Sequence, residues 1–486
     1  MKGGGPDTRG PDSGGSDTAV PDVAVIGGGV IGLGVAWRCA QRGMRVTLYD
    51  PRPRSGASWV AAGMLAPVTE AHFGEEPLLR LGLASAERWP RFAEELSQYG
   101  DLGYRTEGTL LVAHTDDDLR AIERLYRFYG SLGLTAEAQR ASQCRERVPL
   151  LSPRIRGGMY APGDHQVDPR RLTAALLRAA TEAGVTFRDE RVTRLDDVPA
   201  GRIVLAAGTG SARLAGLPVH GVKGQVLRLR LPDSSHFGVN VRALAAGRSV
   251  YLVPRADGEL VVGATMEERG DTTVTAGGVY ELLRAAVDVL PEVAEYELTE
   301  ARAGLRPGTP DNAPLLGPTA DPRVVAATGH FRNGILLTPI TVDLVAEYLD
   351  TGVVPDQMAP FDPSRFTEAA RPTRAAAPDS QPWTPVVTGA NGLGRAALEG
   401  WPSPDQVNRP EPAARRRLGE GTAQRRQSRL VGRRERGRRG LGIDHSGARC
   451  GGSAQRRGGA SRQVAEHPVE RGRLGRGALR EAGRLT

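Results

Sequence analysis

Lysine is almost missing from this chain. Lys2 and Lys223 are the only two in 486 residues, and arginine supplies the rest of the basic charge. Cysteine is scarce too. Cys39, Cys144 and Cys450 fall at no paired spacing, which excludes a disulfide framework or a thiolate zinc site and suits a reducing cytoplasm. No metal is expected. No apolar run nears the roughly 18 residues of a membrane-spanning helix, so no membrane partner is expected. The opening MKGGGPDTRGPDSGGSDTAVPD has no apolar signal-peptide core and reads as a disordered leader over residues 1–21.

The charge is uneven. Residues 383–486 hold 22 arginines against 9 acidic residues, which leaves 42 basic against 47 acidic residues in the rest of the chain. The net charge of +8 therefore belongs to the tail, and nucleic acid is not an expected partner of the remainder. The tail has no Phe or Tyr beyond Phe366. Residues 374–486 read as a low-complexity Arg/Gly-rich extension, disordered, of the composition GC-rich DNA yields in many frames. An RNA-binding arm is the alternative for RRQSRLVGRRERGRRGLG.

The first 366 residues carry ordered patterning. VAVIGGGVIGLGVAWRCAQRGMRVTLYD (23–50) reads as strand, glycine turn, helix and strand. Helical spacing recurs at 75–100, 116–133, 168–184 and 275–290, with Asp168 and Thr275 as natural caps. VTFRDERVTRL is a strand candidate. GQVLRLRL and VYLVPRADGELVVGAT alternate in period two, the latter around a hairpin turn at Asp257-Gly258. RVVAATGHFRNGILLTPITVDLVAEYLD (323–350) reads as strand, turn and a helix starting near Gly334. The fold class is α/β, α+β overall. A Rossmann-like nucleotide domain (22–80, 155–222, 318–366) is interwoven with an antiparallel substrate domain (81–154, 223–317).

Gly27, Gly29 and Gly32 form G-x-G-x-x-G between a buried strand and a helix. The first glycine permits a tight turn, the second admits a pyrophosphate, and the third allows close helix–strand packing. The helix start adds amide donors and a positive dipole end. Asp50 ends the second strand, where a carboxylate binds both ribose hydroxyls and repels a 2′-phosphate. The fingerprint alone does not separate FAD from NAD. The small-residue run SWVAAGMLAP and a second glycine turn in IVLAAGTGS, at Gly208, favour a flavin.

Four further segments join this fingerprint in order: AAGML (61–65), YLVPRADGELVVGATM (251–266), AGLRPGTPDNAPLLG (303–317) and GHFRNGILLTP (329–339). With them the chain resembles the D-amino-acid-oxidase superfamily of flavoproteins and, within it, the glycine oxidases of thiamine biosynthesis. The resemblance spans Val23 to Phe366. It implies noncovalent FAD, with Val30 and Ile31 near the pyrophosphate and Asp50 on the ribose. Ala57, Ser58, Ala62, Gly63 and Met64 would line the cofactor, and Val192 would meet the adenine. The run His330, Phe331, Arg332, Asn333, Gly334, Ile335 and Leu336 would lie against the isoalloxazine. Tyr251 and Arg306 would hold the substrate carboxylate, with Arg332 beside them and Met266 shaping a small pocket. Some relatives carry histidine where this chain has Ser249.

The implied reaction is oxidative deamination of glycine, with sarcosine and small D-amino acids as further substrates. A hydride passes to flavin N5, and O2 is reduced to H2O2. It needs no acid–base residue, because the amine reacts neutral and the protein's task is orientation. An arginine fork suits a carboxylate. The structural alternative for Arg306 is an ion pair with Glu297 or Glu300. By resemblance the protein is a homo-oligomer, a tetramer. The rival functions are another amine or D-amino-acid oxidase or dehydrogenase of the same fold, and an RNA-associated flavoprotein using the tail.

Overall fold

The strand Val23–Ile26 is buried at every residue and pairs in parallel with Val46–Tyr49 on one side and Arg202–Leu205 on the other. Around it builds a six-stranded sheet in the order Leu315–Pro318, Val324–Thr328, Arg202–Leu205, Val23–Ile26, Val46–Tyr49, Thr186–Arg188. Only the Leu315–Pro318 edge is antiparallel. The computed structural model describes residues 20–232 and 237–366. Residues 1–19 of the leader and the 374–486 tail lie outside them.

Strand alternation explains the apolar runs of this sheet. Val25, Val204 and Val325 face the helices Val30–Gln41, Glu76–Ser97, Pro169–Glu182 and Thr338–Thr351, in a core with Trp37, Trp89 and Phe92. Ile26, Ile203 and Leu205 face the opposite way, onto Val192, Leu195 and Val198. Asp168 caps its helix by accepting from the amides of Arg170 and Arg171 at 2.8 and 3.3 Å. Thr275 accepts from Gly278 at 3.2 Å at the start of Ala276–Val289.

The second sheet has eight strands, in the order Glu297–Gly308, His220–Arg230, Glu259–Gly263, Arg248–Pro254, Asn240–Ala245, Thr109–Ala113, Gly157–Ala161, Glu137–Arg140. One face, with Leu227, Leu252 and Val262, packs on the Ala276–Val289 helix. The other, with Val226, Val253 and Val261, turns toward Val60, Ala62 and Met64. The Asp257-Gly258 turn joins Arg248–Pro254 to Glu259–Gly263, with Gly258 at φ +81.

Three local expectations shift. Gly157–Ala161, grouped above with the nucleotide portion, is a strand of the larger sheet, paired with Thr109–Ala113. VTFRDERVTRL pairs only over Thr186–Arg188, because its partner strand ends at Tyr49. The helix expected near Gly334 begins at Thr338. Pro339 has no N–H to donate back to Ile335, so the preceding turns stay outside the regular ladder.

Candidate active site

Between the two sheets lies a cavity of ≈ 720 Å³. At one end sits the glycine turn. Gly27 has φ +111, and a Cβ there would come within 2.5 Å of the Ala206 carbonyl oxygen. A Cβ on Gly32 would lie 1.8 Å from the Gly27 oxygen. Gly32 therefore packs helix against turn and does not itself line the cavity, whereas Gly27, Gly29, Val30 and Ile31 do. The amide of Val30 donates to Ser58 Oγ at 3.2 Å. Asp50 accepts from the amides of Gly28 (2.6 Å) and Arg52 (2.8 Å), one on each carboxylate oxygen. Its carboxylate is thereby fixed with lone pairs to spare on both oxygens.

Ala57, Ser58, Ala62, Gly63, Met64, Val192 and Gly208 also line the cavity. Gly63 is at φ +79, and a Cβ there would come 2.0 Å from the Val167 oxygen. The sequence reading missed what holds this loop, which is Arg255. Its buried guanidinium donates to Gln166 Oε1 at 2.7 Å, to the Val167 carbonyl at 3.1 Å and to the Ala62 carbonyl. Burial lowers its pKa to about 10. Its place in the quoted PRADGE hairpin was visible, but its partners are distant in sequence.

Of the run 330–336, His330, Phe331, Arg332, Gly334 and Ile335 line the cavity. Asn333 and Leu336 instead line a small neighbouring crevice. The Leu336 carbonyl is held away by Ser85 Oγ (2.6 Å) and Trp89 Nε1 (2.9 Å), both of which donate to it. Phe331 is held at φ +47, in the left-handed region. The Arg332 guanidinium stacks 5.2 Å over the Phe331 ring, and its buried Nε has no acceptor among the described residues.

His330 is buried, with Nε2 3.1 Å from Thr341 Oγ1, and burial drives its pKa down to about 3. It stays neutral near neutral pH. The unfolded chain takes a proton near the ordinary value of 6.5 that the folded chain refuses until about 3. Its contribution to stability therefore falls as pH drops through that interval. His330→Gln should flatten this acid limb, read from urea midpoints across the same pH range.

The other end of the cavity carries Arg306 and Tyr251, from strands separated by two others. Each side chain leans over a glycine on its neighbouring strand. A Cβ on Gly224 would lie 2.4 Å from the Arg306 guanidinium, and one on Gly263 would lie 2.3 Å from the Tyr251 hydroxyl. Arg306 donates to the carbonyls of Thr265 (3.1 Å) and Lys223 (3.4 Å). Among the described residues no carboxylate pairs with it. Glu300 is engaged by Arg170 (2.8 Å), Arg228 (3.6 Å) and Arg302, which removes the structural alternative for that residue. Burial raises the Tyr251 phenol above its ordinary value, with Arg306 opposing and Glu70 adding to the rise.

Glu70, absent from the sequence reading, lines the cavity and pairs with Arg242 at 3.4 Å. Met266 shares the face of Gly224 by strand alternation but is 60% exposed and outside the lining. Ser249 is exposed and also outside the lining. Cys39 and Cys144 are buried away from the cavity, and burial pushes both thiols up to about 12. Among the described residues no His/Cys/Asp/Glu group could hold a metal, and no helix is long and apolar enough to cross a membrane.

This geometry suits a long dinucleotide. The glycine turn admits close backbone approach, Asp50 presents two braced oxygens, and the orphaned Arg332 Nε sits on a side chain of the cavity wall. The family model of the FAD dependent oxidoreductases matches residues 22–348. Among curated proteins, glycine oxidase of Geobacillus kaustophilus is 33% identical over 356 residues, covering 68% of this chain and 93% of its own. The bifunctional protein ThiO/ThiG of Synechocystis is 34% identical over 356 residues, but the chain spans only 52% of its length. The crystal structure of the Geobacillus glycine oxidase superposes with a TM-score of 0.67 at 34% identity, covering 71% of this chain and 98% of that one. The family match takes in the glycine turn, the Asp50 strand end and both walls of the cavity, and the chain belongs to the FAD dependent oxidoreductases.

Proposed function

We propose that this enzyme is an amino-acid oxidase whose main substrate is glycine. The observation that carries the reading is Arg306, a guanidinium in a cavity wall whose partners among the described residues are two backbone carbonyls. A charge so placed calls for a small anion, and its fork matches a carboxylate. Tyr251, leaning in from the other side, donates a second hydrogen bond to that carboxylate. The name borne by the Geobacillus relative, glycine oxidase, supports the same substrate.

FAD, when bound, supplies the two-electron acceptor for the C–H bond beside the amine. It is held noncovalently. The helix start at Gly29–Ile31 would take the pyrophosphate, Asp50 the ribose, Val192 the adenine, and Ala57, Ser58, Ala62, Gly63 and Met64 with His330, Phe331, Arg332, Gly334 and Ile335 the ring system. The chain's own work is to orient the substrate by its carboxylate, exclude water, and receive the amine neutral. Glu70 adds an acceptor for an amine N–H. With glycine the product is iminoacetate, which supplies the thiazole moiety of thiamine or hydrolyses to glyoxylate and ammonia. O2 is the electron acceptor and H2O2 the second product. The assembly is a homo-tetramer.

The test is anaerobic mixing of the purified yellow protein with glycine, sarcosine and D-alanine. Bleaching of the flavin by glycine is the expected result, with peroxide formed on admitting air. Bleaching by none of the three would overturn the reading. Faster bleaching by sarcosine or D-alanine would move the assignment to another amine oxidase of the same fold.

A further inference from the structure

One of the chain's two lysines is fully buried. Lys223 has 0% exposure, and its Nζ lies 3.2 Å from Asp271 Oδ1 and 3.3 Å from Glu267 Oε2. Beyond Gly263 the chain continues antiparallel beside His220–Arg230. Lys223 N donates to Glu267 O at 2.9 Å, Glu267 N to Lys223 O at 3.0 Å, and Thr265 N to Gln225 O at 3.3 Å. Alternation puts Lys223, Gln225, Thr265 and Glu267 on the face away from the cavity, and Gly224 on the cavity face. The Gln225 amide reinforces the tie, donating to Glu267 Oε1 at 2.7 Å and to Thr275 Oγ1 at 3.0 Å.

We propose that Lys223 is a positioning residue for substrate binding, tethering the 264–275 segment so that Arg306 is held at its working angle. The two carbonyls that orient the Arg306 guanidinium belong to Lys223 and Thr265, the backbone this network fixes from behind. Thr272, next to Asp271, returns to line the cavity. The balance of charge favours a tether over simple packing. A buried ammonium is expensive without partners, while Glu267 and Asp271 keep access to water. Remove the ammonium, and the two carboxylates gain by turning outward, carrying the segment with them. The compact ammonium meets both carboxylates from a single point, in directions that a planar guanidinium does not reproduce.

This inference rests on the reading of Arg306 as the carboxylate clamp. The test uses flavin-loaded Lys223→Met and, in case that variant fails to fold, Asp271→Ala, which cuts the tether from its exposed side. Two readouts are taken: hydrogen exchange of residues 264–275, and the Kd for glycolate from its perturbation of the flavin spectrum. Both variants should exchange faster in that segment alone. Their KM for glycine and Kd for glycolate should rise about tenfold or more, with kcat within about twofold. A lysine that merely stabilises the fold would lower Tm without that split. Unchanged exchange in 264–275 overturns the tether whatever the clamp does. Faster exchange with unchanged Kd overturns its role in binding. Wild-type protein that leaves glycolate unbound overturns the clamp reading itself, and with it the role proposed for Lys223.

Discussion

Arg306→Ala should raise KM for glycine by a factor of about 30 to 5,000, the equivalent of the ~2–5 kcal/mol lost when one partner of a buried charge pair is removed. The range is wide because the cost depends on how dry the site becomes around the substrate. The direction follows from the geometry. Among the described residues Arg306 has no carboxylate to fall back on, so its charge is available to the ligand. Gly224 leaves room for the guanidinium, whose tip comes within 2.4 Å of where a Cβ there would stand. Tyr251 alone would offer one neutral hydrogen bond, worth about 0.5–1.5 kcal/mol. Flavin content should stay at the wild-type level, because the glycine turn and Asp50 lie at the far end of the cavity. Steady-state kinetics with glycine, alongside a glycolate titration, decide the matter. An unchanged KM would remove Arg306 from the substrate site.

Gly32→Ala should strip the flavin from the protein. The added Cβ would stand 1.8 Å from the Gly27 oxygen, backbone against backbone, so no rotamer change relieves it. Either the Val30–Gln41 helix moves off the sheet or the turn opens, and each spoils the cradle for the phosphates. Overpacking of this kind costs about 1–3 kcal/mol and more where the backbone is unyielding. Flavin absorbance per protein and Tm should both fall. Gly130→Ala is the control, since a Cβ there meets nothing within 4 Å, and it should leave both intact or raise Tm. A Gly32→Ala protein with full flavin and unchanged Tm would refute the packing role.

What the sequence disclosed and what it hid divide along contact distance. The caps at Asp168 and Thr275 were legible because cap and acceptor lie within three residues. The glycine turn was legible because strand, turn and helix follow one another directly. Asp50 belonged to the same unit, and its two bonds to Gly28 and Arg52 fit that placement. Arg306 and Tyr251 came from the resemblance, since nothing local distinguishes them from surface or core residues. Gly224 and Gly263 escaped notice because their role exists only through the pairing of strands far apart in the chain. Arg255, Glu70 and Lys223 were hidden for the same reason. Their partners lie on other segments, and a single sequence does not show which segments meet. The late start of the Thr338–Thr351 helix is a different case. Pro339 announced it, and the apolar run before it concealed the signal.

The two glycines under the inward-leaning side chains make the larger sheet a ruler. Arg306 and Tyr251 spring from backbones three strand spacings apart, about 14 Å at ~4.8 Å per spacing. The gap left between guanidinium and phenol is set by how many strands intervene, a count that no side-chain motion alters. With Arg306 and Tyr251 as the proposed carboxylate holders, preference for a compact anion would rest on backbone pairing. It would be retuned by changing the tips of the two arms far more readily than by remodelling the wall beneath them.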